Sequence, residues 1–190
     1  MYEVKIINLD HRTDRWEEME RQLHAFGIND YSRSEGCYND IPYIGFNNAV
    51  RLALQGDGDL LLFEDDCLFN GNVCDLHDAM KELPADFDML YLGANVKSRQ
   101  ERYSQRLFTL TDAWTTHAIL YSAKARKWCS ENYTEDIQTI YDEWINTVGQ
   151  EAGLKRFIVK PFLAIQADGY SDIWSANTTY GIKDSEVNLK

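Results

Sequence analysis

Short apolar runs alternate with helical patterns along the chain. Residues 4–9 form a β-branched apolar run, which predicts a buried first strand. In the next segment apolar residues recur at steps of three and four, so four side chains share one helical face: Trp16, Met19, Leu23 and Phe26. Thr13 is expected to cap this helix, and Gly27 is expected to end it. A strand followed directly by an amphipathic helix is typical of α/β proteins.

The same alternation continues along the chain. Further apolar runs predict strands over residues 60–63, 89–92, 118–121, 157–159 and 162–165, and amphipathic patterns predict helices over residues 46–55, 73–83, 123–133 and 137–148. The sequence therefore predicts a single α/β domain with a mostly parallel central sheet flanked by helices. We expect this domain to span residues 1–175 and residues 176–190 to form a C-terminal tail.

Length and composition narrow the class of protein. A chain of 190 residues, of which 44% are hydrophobic, is long enough for one domain with a core of its own. A net charge of −12 and a pI near 4.7 disfavour passive binding to a nucleic-acid backbone, which needs a basic surface. An acidic balance remains compatible with a metal-dependent enzyme, because carboxylates hold hard cations.

The cysteines and the first residues indicate the cellular compartment. No two of the four cysteines form a CxxC pair, so we expect free thiols, which fit a reducing environment. The opening segment MYEVKIINLD lacks a basic region followed by a long apolar run, so neither a signal peptide nor a membrane span is expected. The sequence thus predicts a cytoplasmic protein.

Three consecutive carboxylates follow the apolar run at residues 60–63. Like charges repel, and burial at a strand end removes their hydration, so Glu64, Asp65 and Asp66 are costly to place there. A bound Mg²⁺ or Mn²⁺ relieves both costs, and such ions are usually held by one or two carboxylates plus substrate phosphates. Strand alternation places Glu64 and Asp66 on one face and Asp65 on the other. The alternative is an exposed acidic turn.

Two arginines begin the first predicted helix. Arg12 and Arg15 are three residues apart, and a helix N-terminus favours anions, so the pair could clamp a phosphate group. The alternative is a solvated helix face, and the arginines alone do not decide between the two.

Several segments, taken together and in order, resemble glycosyltransferase family 25, which includes bacterial lipopolysaccharide glycosyltransferases. The run INLDHRTDRW at residues 7–16 is similar to the opening motif of the family, and LFEDD at residues 62–66 to its acidic strand end. LPADFDMLYLG at residues 83–93 is similar to a third motif. Later matches are Thr116, His117, Asp142, Pro161, Gln166 and the SDI of residues 171–173. The family's Gly-Cys…Ser-His stretch keeps only its glycine here, as Gly45.

The resemblance implies a GT-A-like fold of the Rossmann type and a metal-dependent transferase. Such an enzyme moves a hexose from a nucleotide-sugar donor, with UDP favoured, to an acceptor hydroxyl with inversion, using Mn²⁺ or Mg²⁺. The implied acceptor is a glycan, as in lipopolysaccharide biosynthesis. Two alternatives stay open. One is a non-catalytic relative that binds nucleotide-sugar or glycan without turnover. The other is a viral type of glycosyltransferase that acts on a modified DNA base.

The matched positions imply roles for individual residues. Asp142 is the candidate catalytic base, with Glu143 as its substitute; a helix-surface acid is the alternative for Asp142. The candidate nucleotide-sugar ligands are Asn8, Asp10, Arg12, Arg15, Glu64, Asp65, Gln166 and Ser171. The candidate metal ligands are Asp66, Glu64, His117 and Asp172. A core histidine bound by the backbone is the alternative for His117. Trp114 lies in a polar stretch and offers a face for a sugar ring.

Overall fold

The structure, a computed structural model, describes residues 2–171 and 176–189. Its helices are α1 (Thr13–Phe26), α2 (Pro42–Ala53), α3 (Val73–Lys81), α4 (Ala123–Asn132), α5 (Tyr141–Glu151) and α6 (Ile182–Ser185), with a 3₁₀ turn at Glu186–Asn188. Its strands are β1 (Tyr2–Asn8), β2 (Ser32–Glu35), β3 (Asp59–Glu64), β4 (Cys67–Phe69), β5 (Met89–Tyr91), β6 (Asn95–Val96), β7 (Leu107–Thr109), β8 (Ala113–Trp114), β9 (Ala118–Tyr121), β10 (Arg156–Val159), β11 (Ala164–Gln166), β12 (Gly169–Ser171) and β13 (Ala176–Thr178).

Within these residues the main sheet has seven strands in the order β2-β1-β3-β9-β5-β10-β7. β1 runs parallel to β2 and β3, and β5 runs parallel to β10. β9 runs antiparallel to both of its neighbours, β3 and β5, and β7 runs antiparallel to β10. The sheet is therefore mixed, and the expectation of a mostly parallel sheet was wrong. A strand buried on both faces is apolar throughout in either direction, so the apolar run at β9 carried no information on its direction.

Helices cover both faces of this sheet. In β3 the side chains alternate, so Leu60 and Leu62 pack with α2, α4 and α5, whereas Leu61 and Phe63 pack with α1 and α3. All four side chains are buried, as expected for a central strand. The architecture is thus a three-layer α/β sandwich, which confirms the predicted fold class apart from the strand directions.

Helix boundaries differ from the predicted ones where local chemistry differs. α1 begins at Thr13 itself, so its N-cap is Arg12, and no side chain caps it. Gly27 ends α1 in the left-handed conformation, with φ 101°, as predicted. α5 begins at Tyr141, four residues later than its apolar pattern indicated. Asp142 therefore lies in the first turn of the helix rather than inside it.

The segment after β13 packs against the edge of the fold. Ile182 and Leu189 are buried with the core residues on one face of the sheet. Hydrogen bonds fix the segment: Ser185 Oγ accepts from the backbone N–H of Val96 at 3.0 Å, and Lys160 Nζ donates to the carbonyl of Leu189 at 2.6 Å. The division into a domain and a tail at residue 175 stays a prediction.

Over the described residues, no helix combines the length and the apolar character needed to cross a membrane. The cysteines, Cys37, Cys67, Cys74 and Cys129, are all free thiols, as predicted.

Candidate functional site

Strand direction gathers the polar segments at one edge of the sheet. β1 and β3 are parallel, so both end there, and ligands of α/β sheets bind at such carboxyl ends. β9 runs the opposite way, so the residues just before it reach the same edge. The backbone N–H of Glu64 donates to the carbonyl of His117 at 2.9 Å, which joins the end of β3 to the beginning of β9.

A cavity of about 400 Å³ opens at this edge. The acids Glu64, Asp65 and Asp66 and the amide of Gln166 contribute to its wall. The loop between β2 and α2 and the first turns of α2 also contribute, with Cys37, Tyr38, Asn39, Asp40 and Phe46. The cavity therefore combines a carboxylate-rich part with a more apolar part.

Asp65 is held in place by residues from two other elements. Asn8 Nδ2, at the end of β1, donates to Asp65 Oδ2 at 2.7 Å. Arg15 Nη1, from α1, donates to Asp65 Oδ1 at 2.9 Å, and its Nη2 donates to the carbonyl of Tyr170 at 2.7 Å. Three of the predicted site residues thus lie in one hydrogen-bonded group that also reaches β12.

Asp66 is also largely buried, and one of its carboxylate oxygens accepts no hydrogen bond from the described residues. Gln166 Nε2 donates to Asp66 Oδ2 at 3.0 Å, and Arg15 Nη1 lies 3.9 Å from the same oxygen. Asp66 Oδ1, Gln166 Oε1 and Asn8 Oδ1 are buried acceptors that receive no hydrogen bond among the described residues. Burial, together with the neighbouring charge of Asp65, raises the pKa of Asp66 to about 6. Buried oxygens without donors are ready to accept a cation or ligand hydroxyls.

Glu64 is linked to the predicted base through one hydroxyl group. Thr116 Oγ1 lies 3.2 Å from Glu64 Oε1 and 2.7 Å from Asp142 Oδ1. The N–H of Thr115 donates to Asp142 Oδ2 at 2.8 Å. Burial, and then the charges of Asp66 and Asp142, raise the pKa of Glu64 well above its ordinary value. Burial also raises the pKa of Asp142, although the bonds from Thr116 and Thr115 oppose that shift.

All three acids of the motif line the same cavity. The predicted alternation, with Asp65 on the opposite face from Glu64 and Asp66, was wrong because β3 ends at Glu64. Asp65 and Asp66 form a turn that leads into β4, and a turn does not impose the two-residue period of a strand.

The other predicted site residues lie in different environments. Asp10 is exposed and pairs with Arg33 at 2.6 Å, while Arg12 pairs with Asp14 at 3.0 Å. Ser171 is buried and lines the cavity. Glu143 is exposed on the first turn of α5. Asp172 lies outside the described residues.

His117 is fully buried, and it is not among the residues that line the cavity. Its Nδ1 lies 3.3 Å from Thr115 Oγ1. Burial lowers the pKa of His117 to about 4, so its imidazole is neutral near pH 7. The residue therefore lies in the core immediately behind the site.

No sequence motif predicted the more apolar part of the cavity, which the loop between β2 and α2 forms. Two glycines mark it. A Cβ on Gly36 would lie 2.8 Å from the backbone of Asn8 and Leu9, and a Cβ on Gly45 would lie 2.3 Å from the carbonyl oxygen of Cys37. Both positions therefore need glycine for the loop to pack against β1 and α2. Gly45 was matched to a family motif, but no spacing rule connected it to a cavity.

Many solved structures have a similar fold. The chain matches A197 from STIV with a TM-score of 0.54 and 9% identity, over 88% of this chain and 86% of that one. It also matches a mutant of Drosophila β1,4-galactosyltransferase 7, solved with manganese, UDP-Gal and xylobiose. That match has a TM-score of 0.52 and 10% identity, over 100% of this chain and 80% of the other.

The fold is similar to that of a galactosyltransferase. At this identity the likeness concerns the fold alone, and it supports a GT-A-like α/β architecture with a mixed sheet. No family model matches the chain, and no curated protein matches its sequence. The finer resemblance to glycosyltransferase family 25 therefore rests on the motifs themselves.

The side-chain oxygens at this edge of the sheet could bind a hard cation if a ligand supplied further oxygens. Among residues 2–171 and 176–189, no three His, Cys, Asp or Glu side chains are grouped to hold a metal ion. Asp66 and Glu64 nevertheless provide carboxylate oxygens, and Gln166 provides an amide oxygen that accepts no hydrogen bond. Mg²⁺ and Mn²⁺ prefer oxygen ligands, and Mg²⁺ usually takes one or two carboxylates plus phosphate oxygens. Asp66, Glu64 and Gln166 fit the protein's share of such a coordination shell, and phosphate oxygens of a ligand would complete it.

Proposed function

We propose that the protein is a metal-dependent glycosyltransferase. It would transfer a hexose from a nucleotide-sugar donor, with UDP favoured, to the hydroxyl of a glycan acceptor, with inversion at the anomeric carbon. The observation that carries this proposal is the convergence of Glu64, Asp65 and Asp66 with Gln166 in one cavity, where buried oxygens lack donors. The galactosyltransferase-like fold supports it.

The donor would lie across the cavity. We propose that Asp66 holds the divalent ion, assisted by Glu64, and that Asn8, Arg15 and Asp65 position the sugar diphosphate and ribose. When bound, the ion would offset the negative charge that develops on the departing diphosphate. Gln166 keeps Asp66 oriented through the 3.0 Å bond to its carboxylate.

The acceptor hydroxyl requires a base close to the reacting sugar. We propose Asp142 for this role, because burial raises its pKa and so makes its carboxylate a better proton acceptor. Asp142 does not itself line the cavity, but the hydroxyl of Thr116 links it to Glu64, which does. Glu143, on the same helical turn, is the substitute.

The finer identity remains part of the proposal. The ordered motifs favour a family 25 type of enzyme that acts in lipopolysaccharide biosynthesis. Free thiols at all four cysteines favour the cytoplasm. A non-catalytic binding protein is the second candidate, because both oxygens of Asp142 already accept bonds from Thr115 and Thr116.

A binding and turnover panel tests the proposal. UDP-, GDP-, CMP- and TDP-sugars are titrated by calorimetry with and without Mn²⁺, and donor hydrolysis is followed. We expect one nucleotide class to bind in a Mn²⁺-dependent manner, and Asp66→Asn to weaken that binding at least tenfold. The control Asp78→Asn changes an exposed acid that pairs with Lys81 on α3 and should bind normally. Binding without hydrolysis or transfer would favour the non-catalytic candidate, and no nucleotide-sugar binding would overturn the proposal.

A further inference from the structure

Trp114 is a large aromatic side chain that is left 42% exposed beside the acidic network. It lies on β8, opposite Asn95 of β6. The next residue, Thr115, has φ 74°, a left-handed conformation that is strained for a residue other than glycine. The bond from Thr115 N–H to Asp142 holds that conformation, so the backbone that carries the indole ring is fixed.

Two series of contacts link the cavity to the backbone at Trp114. The first runs from Glu64, on the cavity wall, through Thr116 to Asp142, which binds the backbone next to Trp114. The second begins at Tyr180, which also lines the cavity. The carbonyl of Tyr180 accepts a bond from Asn95 Nδ2 at 2.6 Å, and Asn95 pairs with Trp114. The backbone at Trp114 is therefore linked to the cavity wall, although Trp114 is not among the residues that line the cavity.

The surroundings of Trp114 are polar and acidic. Asp142 and the exposed Glu143 lie on the first turn of α5, and β8 packs against that helix through bonds between Asn146 and Ala113. The arginine that bonds Asn146, Arg156, is itself buried, with 3% exposed. An exposed aromatic side chain on a strand that packs against a helical turn with two acids suits a sugar, because the C–H groups of a sugar pack on an aromatic ring and its hydroxyls donate to carboxylates.

We propose that Trp114 and the Asp142–Glu143 turn form the acceptor subsite, and that this subsite takes a neutral saccharide. The inference rests on the proposed function, which it deepens by assigning the acceptor to residues that do not line the donor cavity but are linked to its wall through Thr116 and Asp142. A single-stranded nucleic acid could also stack a base on Trp114, but such sites combine stacking with a positively charged groove. The carboxylates of Asp142 and Glu143 on the first turn of α5 oppose phosphates at this face.

A comparison of three variants tests the subsite. Fluorescently labelled wild-type protein, Trp114→Ala, Trp114→Phe and Tyr103→Ala are applied to an array of neutral oligosaccharides that includes xylobiose, and the affinity for the best one is then measured. Tyr103 is the matched control, because it is 46% exposed and packs against Phe157 elsewhere in the fold. We expect Trp114→Ala to weaken saccharide binding at least tenfold, Trp114→Phe to restore part of it, and Tyr103→Ala to leave it unchanged.

Separate titrations keep this inference distinct from the proposed function. Nucleotide-sugar binding, measured with Mn²⁺, should agree within twofold between wild type and Trp114→Ala. Equal saccharide binding by wild type and Trp114→Ala, or no saccharide retained on the array, overturns the subsite. Binding of oligothymidylate that is lost in Trp114→Ala also overturns it, in favour of a nucleic-acid acceptor. Trp114-dependent saccharide binding without any nucleotide-sugar binding supports the subsite and overturns the proposed transferase.

Discussion

Asp66 shows how a single site residue works against the stability of the fold. Its pKa in the folded protein is about 6, whereas the ordinary value is 3.8. Below about pH 4 the carboxyl is neutral in folded and unfolded chains alike. As the pH rises through 6, the folded protein must carry a buried charge that the unfolded chain carries in water. The site therefore opposes folding at neutral pH.

Asp66→Asn should consequently stabilise the protein at pH 7.5. The shift of about two pKa units corresponds to a gain of about 1–3 kcal/mol in the free energy of unfolding. Urea denaturation at pH 7.5 and pH 4.5 measures it, and most of the gain should disappear at the lower pH. An equal gain at both pH values would show that the charge is not its source. Mn²⁺ with the bound nucleotide should stabilise wild type more than the variant.

At the scale of elements, the loop between β2 and α2 forms the part of the site that the sequence did not indicate. The loop packs so closely on α2 that Gly45 has no room for a methyl group. The loop and the helix contribute aromatic side chains to the cavity lining, Tyr38 and Phe46, in addition to the acids at the end of β3. The shape of the cavity thus depends on one helix–loop contact.

Gly45→Ala tests that dependence. The added Cβ would lie 2.3 Å from the carbonyl of Cys37, so the loop or the helix must shift. We expect the free energy of unfolding to fall by about 1–3 kcal/mol, as for other overpacked positions. Nucleotide-sugar binding should weaken as well. Leu52→Ala, at a 45% exposed position of the same helix, is the control for urea denaturation and binding. If Gly45→Ala behaves like that control, the contact does not shape the cavity.

At the scale of the whole molecule, the chain after β13 completes the core. Ile182 and Leu189 are buried with 3% and 0% exposed, and Tyr180 lines the cavity. Removal of residues 179–190 exposes the surface that these side chains cover. Two fully buried apolar side chains are worth about 3–6 kcal/mol together, a large part of the stability of an ordinary domain.

The shortened chain should therefore unfold at a much lower temperature, in a thermal scan followed by circular dichroism. Leu189→Ala provides a milder version, with an expected loss of about 2–5 kcal/mol. An unchanged unfolding temperature for both proteins would favour the prediction that residues 176–190 are a separate tail.

The fold class was predictable because buried strands and amphipathic helices leave different periods in the sequence. The end of β3 was also predictable, because its apolar run stops at residue 63, directly before Glu64. The direction of β9 was not, since a doubly buried strand is apolar in either orientation. Nor was the approach of Thr116 to Glu64 and Asp142, because that contact follows from the reversed strand. The burial of His117 in the core could not be predicted either, because it depends on packing between elements that are distant in sequence.

The positions of the lining residues along the chain also determine when the site can form during synthesis. Asn8 and Asp65 can meet once β1 and β3 have paired, but part of the lining comes much later in the chain, from Gln166, Tyr170, Ser171 and Tyr180. β5 cannot pair with β10 until more than sixty further residues have been made. Pairing over such separations is slow compared with helix formation. A newly made chain therefore leaves its cluster of acids without the rest of the cavity until at least Tyr180 has been made.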